Sequence, residues 1–349
     1  MPKLATDQRA GKELANAIGS RESSVGAIDL SVVCPFYNEE AILKHAVETL
    51  LGKLAEMRVS WELIVVNDGS LDGSKGVVES LLGENDRLRL VSYPTNRGRG
   101  HALRAGIAHA RGDVIVTTEI DLSWGEDIVE RLYREMQEHP DADIVVASPH
   151  LKGGRYKNVP RKRVLVSQFG NWVIRACMTN AATMNTGMTR AYRRAAIKSL
   201  PLEEDGKEFH LEVILKATAF KYRLREIPSI LEWKSHKHEG KTVKRKSSSK
   251  IKRLIVSHSL FSIFANPIRY VWGLSIATAL TSVGFLVWSV YRLLTEQVAA
   301  FALITGLSLM MMAMIFFTFG VIAQQGNMIQ RELWTIKRSL LEMSKHEDF

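Results

Sequence analysis

Cysteine is scarce in this chain of 349 residues, which contains only Cys34 and Cys177. Two thiols cannot build a disulfide framework or a thiolate metal cluster, so the composition fits a reducing compartment. Residues 1–20 contain no apolar core, and we therefore expect no cleaved secretory signal. Charged residues make up 24% of the chain and no low-complexity tract occurs, which excludes an intrinsically disordered protein.

Two nucleotide-binding signatures are also missing. The stretch Arg97-Gly98-Arg99-Gly100 is rich in glycine but lacks the Gly-Lys-Ser/Thr ending of a Walker A loop. No GxGxxG motif follows the first predicted strand, residues 29–34. The sequence therefore does not favour a P-loop NTPase or a Rossmann dehydrogenase.

Two long uncharged runs occupy the C-terminal part of the chain. Residues 270–291 would span about 30 Å as a helix, which matches the apolar thickness of a bilayer. The apolar residues 298–322 are also long enough to cross, and the short connection predicts a transmembrane helical hairpin. The alternative is a buried helical pair in a soluble core. Basic residues near both ends place both ends in the cytoplasm: Lys250, Lys252, Arg253 and Arg269 on one side, Arg331, Lys337 and Arg338 on the other.

Positive charge is concentrated in two segments of a chain whose formal net charge is +10. Residues 152–163 carry six basic residues and no acid, and residues 234–253 carry nine basic residues and Glu239. Such segments beside a membrane hairpin favour an anionic interface or an anionic ligand over an ordinary solvated surface. Nucleic acid is not expected, because Tyr156 is the only aromatic residue in either segment.

Upstream of the apolar runs, β-branched segments alternate with helical patterns. Pro35 is expected to end the first strand, and Asn38 to cap a helix that extends to about Leu54. The alternation predicts an α/β fold with a mostly parallel sheet and helices on both faces. Five predicted strands cover residues 29–34, 61–66, 88–92, 113–118 and 143–147.

Acidic residues follow three of these strands: Glu39, Asp68, and the pair Glu119 and Asp121. Ligands of parallel sheets bind at the carboxyl ends of strands, so we expect these acids to lie near one another. Two carboxylates at alternating positions can bind one hard divalent cation, which would bridge the diphosphate of a nucleotide. The alternative is a purely structural role, such as helix capping.

A series of short motifs extends through the same region. They are residues 35–40 (PFYNEE), 66–70 (VNDGS), 96–98 (NRG), 111–113 (RGD), 119–122 (EIDL), 185–187 (NTG), 208–212 (EFHLE) and 226–228 (EIP). In order and spacing they resemble family 2 glycosyltransferases of the GT-A fold. The resemblance is to the polyprenyl-phosphate branch, which includes dolichol-phosphate mannose synthase and undecaprenyl-phosphate glucosyltransferases.

The resemblance implies roles for individual residues. On the donor side, Pro35, Tyr37 and Glu39 would hold the nucleotide base and ribose, and Val66 and Asp68 would close that pocket. Glu119, Ile120 and Asp121 occupy the position of the family's DxD motif; the two acids, with Ser123 nearby, would carry Mg²⁺ or Mn²⁺ on the donor diphosphate.

Three further groups follow from the same resemblance. His210 and Glu212 fall on a segment that the family places near the sugar, so they are candidate catalytic residues together with Asp121. Lys237, Gly240 and Lys241 would belong to a basic loop over the diphosphate. Arg161, Lys162 and Ser167 would meet the acceptor phosphate.

The sequence departs from the family pattern at several positions. Glu119 replaces the first Asp of the DxD motif, and Ser123 replaces a Gln. Ser148-Pro149-His150 stands where an arginine is usual, and Thr183 and Asn185 replace an Asp and a Thr. These changes affect which sugar is handled more than whether transfer occurs.

The expected reaction follows from the acceptor. A lipid phosphate is ionised at neutral pH, so it can attack the anomeric carbon without a strong general base. The enzyme must suppress the repulsion between two anions, which a divalent cation and lysine or arginine side chains can do. We therefore expect inverting transfer of a hexose-type sugar from a UDP- or GDP-sugar to a polyprenyl phosphate at the cytoplasmic membrane face.

Two other functions remain open. The first is a processive polysaccharide synthase, which would need a Q-x-x-R-W motif and more membrane helices, neither of which is found. The second is a non-catalytic, membrane-anchored module that binds a nucleotide sugar. Packing between hairpins makes a homo-oligomer plausible. The predicted organisation is a tail (1–27), a cytoplasmic GT-A domain (28–245), a basic, interfacial segment (246–267) that includes residues 259–264, the transmembrane hairpin (268–323) and a cytoplasmic C-terminal helix (324–349).

Overall fold

The computed structural model describes residues 28–177, 182–233, 236–238, 241–243, 267–295 and 297–347. Among these residues the chain forms eleven strands and nine α-helices. The strands are β1 (Leu30–Phe36), β2 (Trp61–Asp68), β3 (Leu88–Tyr93), β4 (Val114–Thr117), β5 (Ile144–Ser148), β6 (Arg155–Lys157), β7 (Arg190–Arg193), β8 (Leu224–Pro228), β9 (Ile230–Glu232), β10 (His236–His238) and β11 (Lys241–Val243). The helices are α1 (Glu40–Glu56), α2 (Ser74–Leu82), α3 (Arg99–His109), α4 (Ile128–Glu138), α5 (Arg161–Cys177), α6 (Arg194–Ser199), α7 (Phe209–Ala219), α8 (Pro267–Leu294) and α9 (Ala300–Glu347).

The core of the fold is a seven-stranded sheet in the order β3-β2-β1-β4-β7-β5-β8. Strands β3, β2, β1 and β4 run parallel, and β8 runs parallel to β5. Strand β7 is antiparallel to both of its neighbours, β4 and β5. The central strands are buried on both faces under the helices, as expected of parallel strands. The predicted mostly parallel sheet flanked by helices is confirmed.

The prediction that Pro35 ends the first strand is wrong. Strand β1 continues to Phe36, with Pro35 opposite Val66 of β2, whereas its pairing with β4 stops at Val33. Proline lacks a backbone N–H, so it is tolerated where one neighbouring strand has already ended. Strand β2 likewise continues past Val66 and ends at Asp68.

The predicted capping role of Asn38 is also wrong. Helix α1 begins at Glu40, and Glu39 occupies the N-cap position. Asn38 has a φ of 54°, its Oδ1 accepts a hydrogen bond from the Leu71 N–H (2.8 Å), and its own N–H donates to Ser70 Oγ (3.0 Å). Asparagine tolerates this left-handed conformation better than most residues. Asn38 therefore ties the turn after β1 to the turn after β2.

Glu62 is a buried acid at the opposite edge of the sheet from those turns. Its carboxylate accepts hydrogen bonds from Ser31 Oγ (2.7 Å), the Arg111 N–H (2.8 Å) and the guanidinium groups of Arg89 (2.9 Å) and Arg111 (2.8 Å). Burial opposes ionisation of Glu62, but these hydrogen bonds outweigh it and lower its pKa. The arrangement joins β1, β2, β3 and the loop before β4.

Helices α8 and α9 pack side by side as an antiparallel hairpin. Ser275 Oγ donates to the carbonyl of Ala313 (2.8 Å), and Ser282 Oγ donates to the carbonyl of Gly306 (2.7 Å). Small residues at this seam let the two backbones approach closely, an arrangement common between membrane helices. By length and composition both helices could cross a membrane, over Val271–Leu294 and Ala300–Leu340.

The structure describes some of the predicted segments and not others. The boundary predicted at residue 323 falls inside α9, which continues without a break to Glu347. The predicted N-terminal tail and residues 246–266 of the predicted interfacial segment lie outside the described residues. Assembly of copies through the hairpin stays a prediction.

Candidate active site

A cavity of about 630 Å³ opens at the carboxyl ends of β1, β2 and β4. Parallel strands present their C-terminal turns at this edge of a sheet, which is where ligands of α/β folds bind. The β6–β9 pair and α5 also line this cavity. The predicted site residues that line it are Pro35, Tyr37, Glu39, Asp68, Glu119, Ile120, Asp121, Ser123 and Ser167.

The acidic pair after β4 is held by Ser123. The Ser123 N–H donates to Asp121 Oδ1 (3.0 Å), and its hydroxyl donates to Glu119 Oε2 (2.8 Å). Arg99, at the start of α3, lies with Nη1 3.7 Å from Glu119 Oε1. Asp121 is 4% exposed, whereas the Glu119 side chain is 24% exposed. One serine therefore orients two carboxylates on the same cavity wall.

This donor set fits a hard divalent cation. Two carboxylates and a hydroxyl are the oxygen ligands that Mg²⁺ and Mn²⁺ take in proteins. A second acidic cluster on α4, made of Glu135, Glu138 and His139, also brings ligand atoms together. It lies outside the cavity lining, and Glu135 is already paired with Arg225 at 2.8 Å. The pair at the cavity is therefore the better candidate for a metal bound with a diphosphate.

Asp68 lines the cavity, and its carboxylate also organises the chain after β3. It accepts hydrogen bonds from Tyr93 Oη (2.8 Å), Asn96 Nδ2 (2.9 Å), the Arg97 N–H (2.9 Å) and the Gly98 N–H (3.1 Å). Burial and the neighbouring Asp68 carboxylate raise the pKa of Tyr93, so its hydroxyl stays a donor. Val66, by contrast, is fully buried in β2 and does not line the cavity.

The part of the cavity lined by β6, α5 and Trp233 combines aromatic and basic groups. Ser167 Oγ and Tyr156 Oη share a hydrogen bond of 3.1 Å, and Tyr156 Oη lies 3.0 Å from His150 Nε2. The Arg163 guanidinium lies over the Trp233 ring, 4.3 Å from its centroid. Both Arg163 and Trp233 line the cavity, so Trp233 combines packing with a place in the cavity wall.

Helix α5 presents an apolar face to solvent while Arg163 and Ser167 line the cavity. Leu165, Phe169 and Trp172 are 64%, 47% and 65% exposed, and the Phe169 and Trp172 rings stack at 6.0 Å. Trp172 is exposed on this face, whereas Trp61 is buried in the core. The exposed face begins one helical turn after Arg161 and Lys162.

Arg161 and Lys162, the other two predicted acceptor residues, do not line the cavity. Both are exposed at the start of α5, next to Arg163. Lys237 and Lys241 lie on the antiparallel pair β10 and β11, with Lys237 opposite Thr242; their side chains lie outside the described part of the chain, as does Gly240.

His210 and Glu212 lie at the start of α7, and neither lines the cavity. Burial lowers the pKa of His210 well below its ordinary value, and the positive charges of Arg190 and Arg99 lower it further. The imidazole is therefore neutral at pH 7. Glu212 accepts hydrogen bonds from Lys216 Nζ (2.6 Å) and from the N–H groups of residues 203 (2.9 Å) and 204 (3.0 Å).

Hydrogen bonds fix the backbone around Thr183 and Asn185, the two positions of this segment that differ from the family pattern. The Thr183 N–H donates to the Glu226 carboxylate (2.8 Å), and the Asn185 N–H donates to Asn171 Oδ1 (2.7 Å). The buried Arg190 guanidinium donates to the carbonyls of Asn185 (2.6 Å) and His210 (3.1 Å). These contacts place Met184 and Met188 at the cavity wall.

Sequence reasoning missed three basic residues that line the cavity: Arg99, Arg163 and Lys207. Arg99 belongs to the glycine-rich stretch that the sequence displays, and Arg163 ends the first basic segment. Both signals were visible, but neither indicated which cation in its segment faces the acids. Lys207 lies just before the 208–212 motif, in a stretch of the sequence that carries no motif.

Residues 31–200 match the profile of glycosyl transferase family 2. This region of the chain is therefore similar to family 2 glycosyltransferases. Among solved structures it is similar to glucosyl-3-phosphoglycerate synthase from Mycobacterium tuberculosis, in complex with Mn²⁺, uridine-diphosphate-glucose and phosphoglyceric acid. The TM-score is 0.50 and the identity 20%, over 70% of this chain and 83% of that chain. This likeness supports the GT-A fold.

The chain is also similar to curated relatives. An undecaprenyl-phosphate 4-deoxy-4-formamido-L-arabinose transferase of Shewanella sediminis is 30% identical over 174 residues, 49% of this chain and 50% of the relative. A dolichyl-phosphate beta-glucosyltransferase of Trichomonas vaginalis is 30% identical over 151 residues, 41% of this chain and 45% of the relative. An uncharacterized glycosyltransferase of Synechocystis sp. is 33% identical over 127 residues, 36% of this chain and 39% of the relative. The matches span half or less of each relative.

Proposed function

We propose that the protein transfers a hexose-type sugar from a nucleoside-diphosphate sugar, UDP- or GDP-linked, to a polyprenyl phosphate at the cytoplasmic face of a membrane. The observation that carries this proposal is one cavity lined both by an acidic pair and by a helix with an apolar outer face and a basic residue, Arg163, on its cavity side. The relatives named as polyprenyl-phosphate transferases support the same substrate class.

The acidic wall is the proposed metal and donor side. Glu119 and Asp121 would hold Mg²⁺ or Mn²⁺, with Ser123 orienting both carboxylates. When bound, the cation would neutralise charge on the leaving diphosphate. Arg99 and Lys207 line the same cavity and bring further positive charge to that diphosphate.

The end of β1 is the proposed nucleoside pocket. Pro35, Tyr37 and Glu39 line the cavity at this end, and Tyr37 is 40% exposed, so its ring is accessible for stacking on a base. The side chain of Asp68 lines the same cavity and fixes the N–H groups of Arg97 and Gly98, just before Arg99. A ligand with an aromatic base and a diphosphate therefore fits the dimensions and charges of the cavity.

Helix α5 is the proposed acceptor side. Its outer apolar face, which includes the stacked rings of Phe169 and Trp172, would lie in the membrane interface, where aromatic side chains are favoured. Arg161 and Lys162 would then sit at the level of lipid headgroups, and Arg163 and Ser167 would meet the acceptor phosphate inside the cavity. Helices α8 and α9 would cross the bilayer, with both ends of the hairpin in the cytoplasm.

The reaction needs little acid–base chemistry from the protein. An oxygen of the ionised lipid phosphate forms a bond to the anomeric carbon while the bond from that carbon to the nucleoside diphosphate breaks, so the configuration inverts. Because the nucleophile carries no proton to remove, a strong general base is unnecessary. The side chains on the two walls would hold two anions in line and reduce their repulsion.

The test is transfer by the purified full chain in detergent, with labelled UDP- and GDP-sugars, Mn²⁺ or Mg²⁺ and a short polyprenyl phosphate. A lipid-linked monosaccharide supports the proposal and identifies the donor. A polymer indicates a processive synthase, and absence of any product indicates a binding module; either result overturns it.

Asp121→Asn tests the acidic pair in the same assay. We expect turnover to fall by about a hundredfold or more, because metal-assisted charge stabilisation contributes several kcal/mol. Chelation of the metal should abolish wild-type turnover, and added Mn²⁺ should restore it. Asp127→Asn is the matched control, because Asp127 is an exposed acid of the same region that does not line the cavity. Near-normal turnover of Asp121→Asn would refute the metal assignment.

A further inference from the structure

The loop of residues 201–208, between α6 and α7, reaches from the cavity to the far end of α9. It has no regular secondary structure until its final turn. One end brings Lys207 to the cavity wall, and Glu203, nearer the other end, contacts Lys337 of α9. A shift of α9 can therefore displace the loop, and with it the part of the cavity wall that contains Lys207.

The buried pair Glu212 and Lys216 holds this loop from below. Each carboxylate oxygen of Glu212 accepts one loop N–H, from Glu203 at 2.9 Å and from Glu204 at 3.0 Å. Lys216 Nζ donates to Glu212 Oε1 (2.6 Å) and to the carbonyl of Pro201. Because Lys216 is 3% exposed, disruption of this pair leaves an uncompensated buried charge.

On its other side the loop covers the first turn of α3. The carbonyl of Asp205 accepts hydrogen bonds from the N–H groups of Gly100 (2.8 Å) and His101 (3.1 Å), and its carboxylate pairs with Arg104. Gly98 has a φ of 102°, and a side chain there would come within 2.5 Å of the Asp205 carbonyl oxygen. The loop thus fixes the helix turn from which Arg99 approaches the acidic pair.

Residues 334–338 of α9 contact Lys216, the 201–208 loop and the residues that follow α7. The Trp334 ring lies over Lys216, with Nζ 5.3 Å from the ring centroid, and Lys337 pairs with Glu203. Arg338 lies over the rings of Phe220 and Tyr222, at 5.2 and 5.8 Å. Exposed pairs such as Lys337 and Glu203 contribute little alone, so the contact with buried Lys216 carries more of the coupling.

We propose that the end of α9, from Trp334 to Arg338, is a positioning element for the donor side of the cavity. Through Lys216, Glu212 and the 201–208 loop it holds Arg99 and Lys207 in place. None of these α9 residues touches the cavity, so they act through others. The activity readout of this proposal rests on the proposed transferase function. Seating of the hairpin and binding of the donor are thereby coupled.

The first test compares Trp334→Ala with Trp334→Phe in the full chain. Loss of the ring should raise the donor KM about threefold to tenfold, the range that a cation–π contact supplies. The kcat and the acceptor KM should stay within about twofold, since these steps do not use the contact. Phe retains the ring, so Trp334→Phe should recover most of the donor affinity.

A charge exchange tests the same element without removal of a large side chain. Lys337→Glu should raise the donor KM, and the double variant Glu203→Lys/Lys337→Glu should restore it. Arg331→Glu is the control: it makes the same charge change on an exposed part of α9, away from the loop. Hydrogen exchange at the amides of residues 100, 101, 203 and 204 should accelerate in Lys337→Glu and Trp334→Ala and return to normal in the rescued variants.

Unchanged amide protection in both disrupted variants would overturn the proposal, as would an equal rise of donor and acceptor KM. If the wild-type chain transfers no sugar, the proposed function fails while amide exchange and the binding of UDP or GDP with Mn²⁺ still decide this proposal. Slower exchange and tighter nucleotide binding in the wild-type chain than in Trp334→Ala would then support it. Equal values would refute it.

Discussion

Ser123 shows how a departure from the family pattern is accommodated at a single residue. A serine is too short to replace a glutamine as a reaching side chain, but it donates to both members of the acidic pair. Glu119 is one methylene longer than aspartate and is thus able to meet that hydroxyl. The longer acid and the shorter polar residue therefore compensate each other.

Ser123→Ala removes the hydroxyl and keeps the N–H that binds Asp121. We expect the affinity for Mn²⁺ to fall about tenfold, as is usual when a residue that orients a ligand is lost. Manganese titration of turnover, and of the spin-resonance signal without substrates, measures this. Ser123→Thr keeps the hydroxyl and should stay close to wild type. Equal Mn²⁺ affinity in Ser123→Ala would show that Glu119 is oriented by other contacts.

His210 should make stability depend on pH. Its folded pKa is depressed by burial and by Arg190 and Arg99, whereas the unfolded chain titrates near 6.5. The unfolded state then binds more protons below pH 6.5, so stability falls as the pH drops below that value and is independent of this group above it. Melting temperatures at pH 5.5 and 7.5 test this. The difference should shrink in His210→Gln and persist in the control His45→Gln, which changes an exposed histidine; equal shrinkage in both would contradict it.

At this scale the sequence was informative about acids and less informative about their partners. Glu39, Asp68, Glu119 and Asp121 line one cavity because parallel strands end at one edge, a rule that local patterns carry. Glu212 was placed near the sugar by resemblance, but its carboxylate holds the backbone of residues 203 and 204. Such contacts depend on how a loop folds back in three dimensions, which spacing along the chain does not encode.

At the scale of elements, the position of β7 and the inner face of α5 could not be predicted from the sequence pattern. The alternation of strands and helices predicted five strands correctly in kind, but it gave no indication that an antiparallel β7 separates β4 from β5. Helix α5 has basic residues at its start and an apolar outer face, so a charge count identified only the start. The residues on its inner face could not be predicted, because they are defined by packing against the β6–β9 pair.

The outer face of α5 is expected to matter only for a membrane-bound acceptor. The double variant Phe169→Gln/Trp172→Gln should raise the KM for a long polyprenyl phosphate in liposomes about tenfold, because two apolar side chains no longer partition into the interface. The KM for a short, water-soluble polyprenyl phosphate should stay unchanged. Gln168→Ala, on the same exposed face, is the control. An equal rise for both acceptors would place the effect inside the cavity.

At the scale of the whole molecule, the surface of the hairpin favours a membrane span over a buried helical pair. Only 17% of the apolar window of each helix is buried, whereas a helical pair inside a soluble protein is mostly buried. The seam between α8 and α9 is closed by small residues and serine hydroxyls, and the large apolar side chains point outward. A surface of this kind requires lipid or other apolar cover.

The proposed topology puts both ends of the hairpin in the cytoplasm and its tip on the far side. A cysteine introduced as Thr295→Cys should react with a membrane-impermeant maleimide only from outside, and Glu332→Cys only from inside, because basic residues are retained on the cytoplasmic side. Cys177→Ser removes one native thiol from the background. The other, Cys34, is fully buried, and burial raises its pKa, so it stays an unreactive thiol. Labelling of both reporters from the same side would rule out a single hairpin crossing, and labelling of both after disruption of the membrane is the control for reactivity.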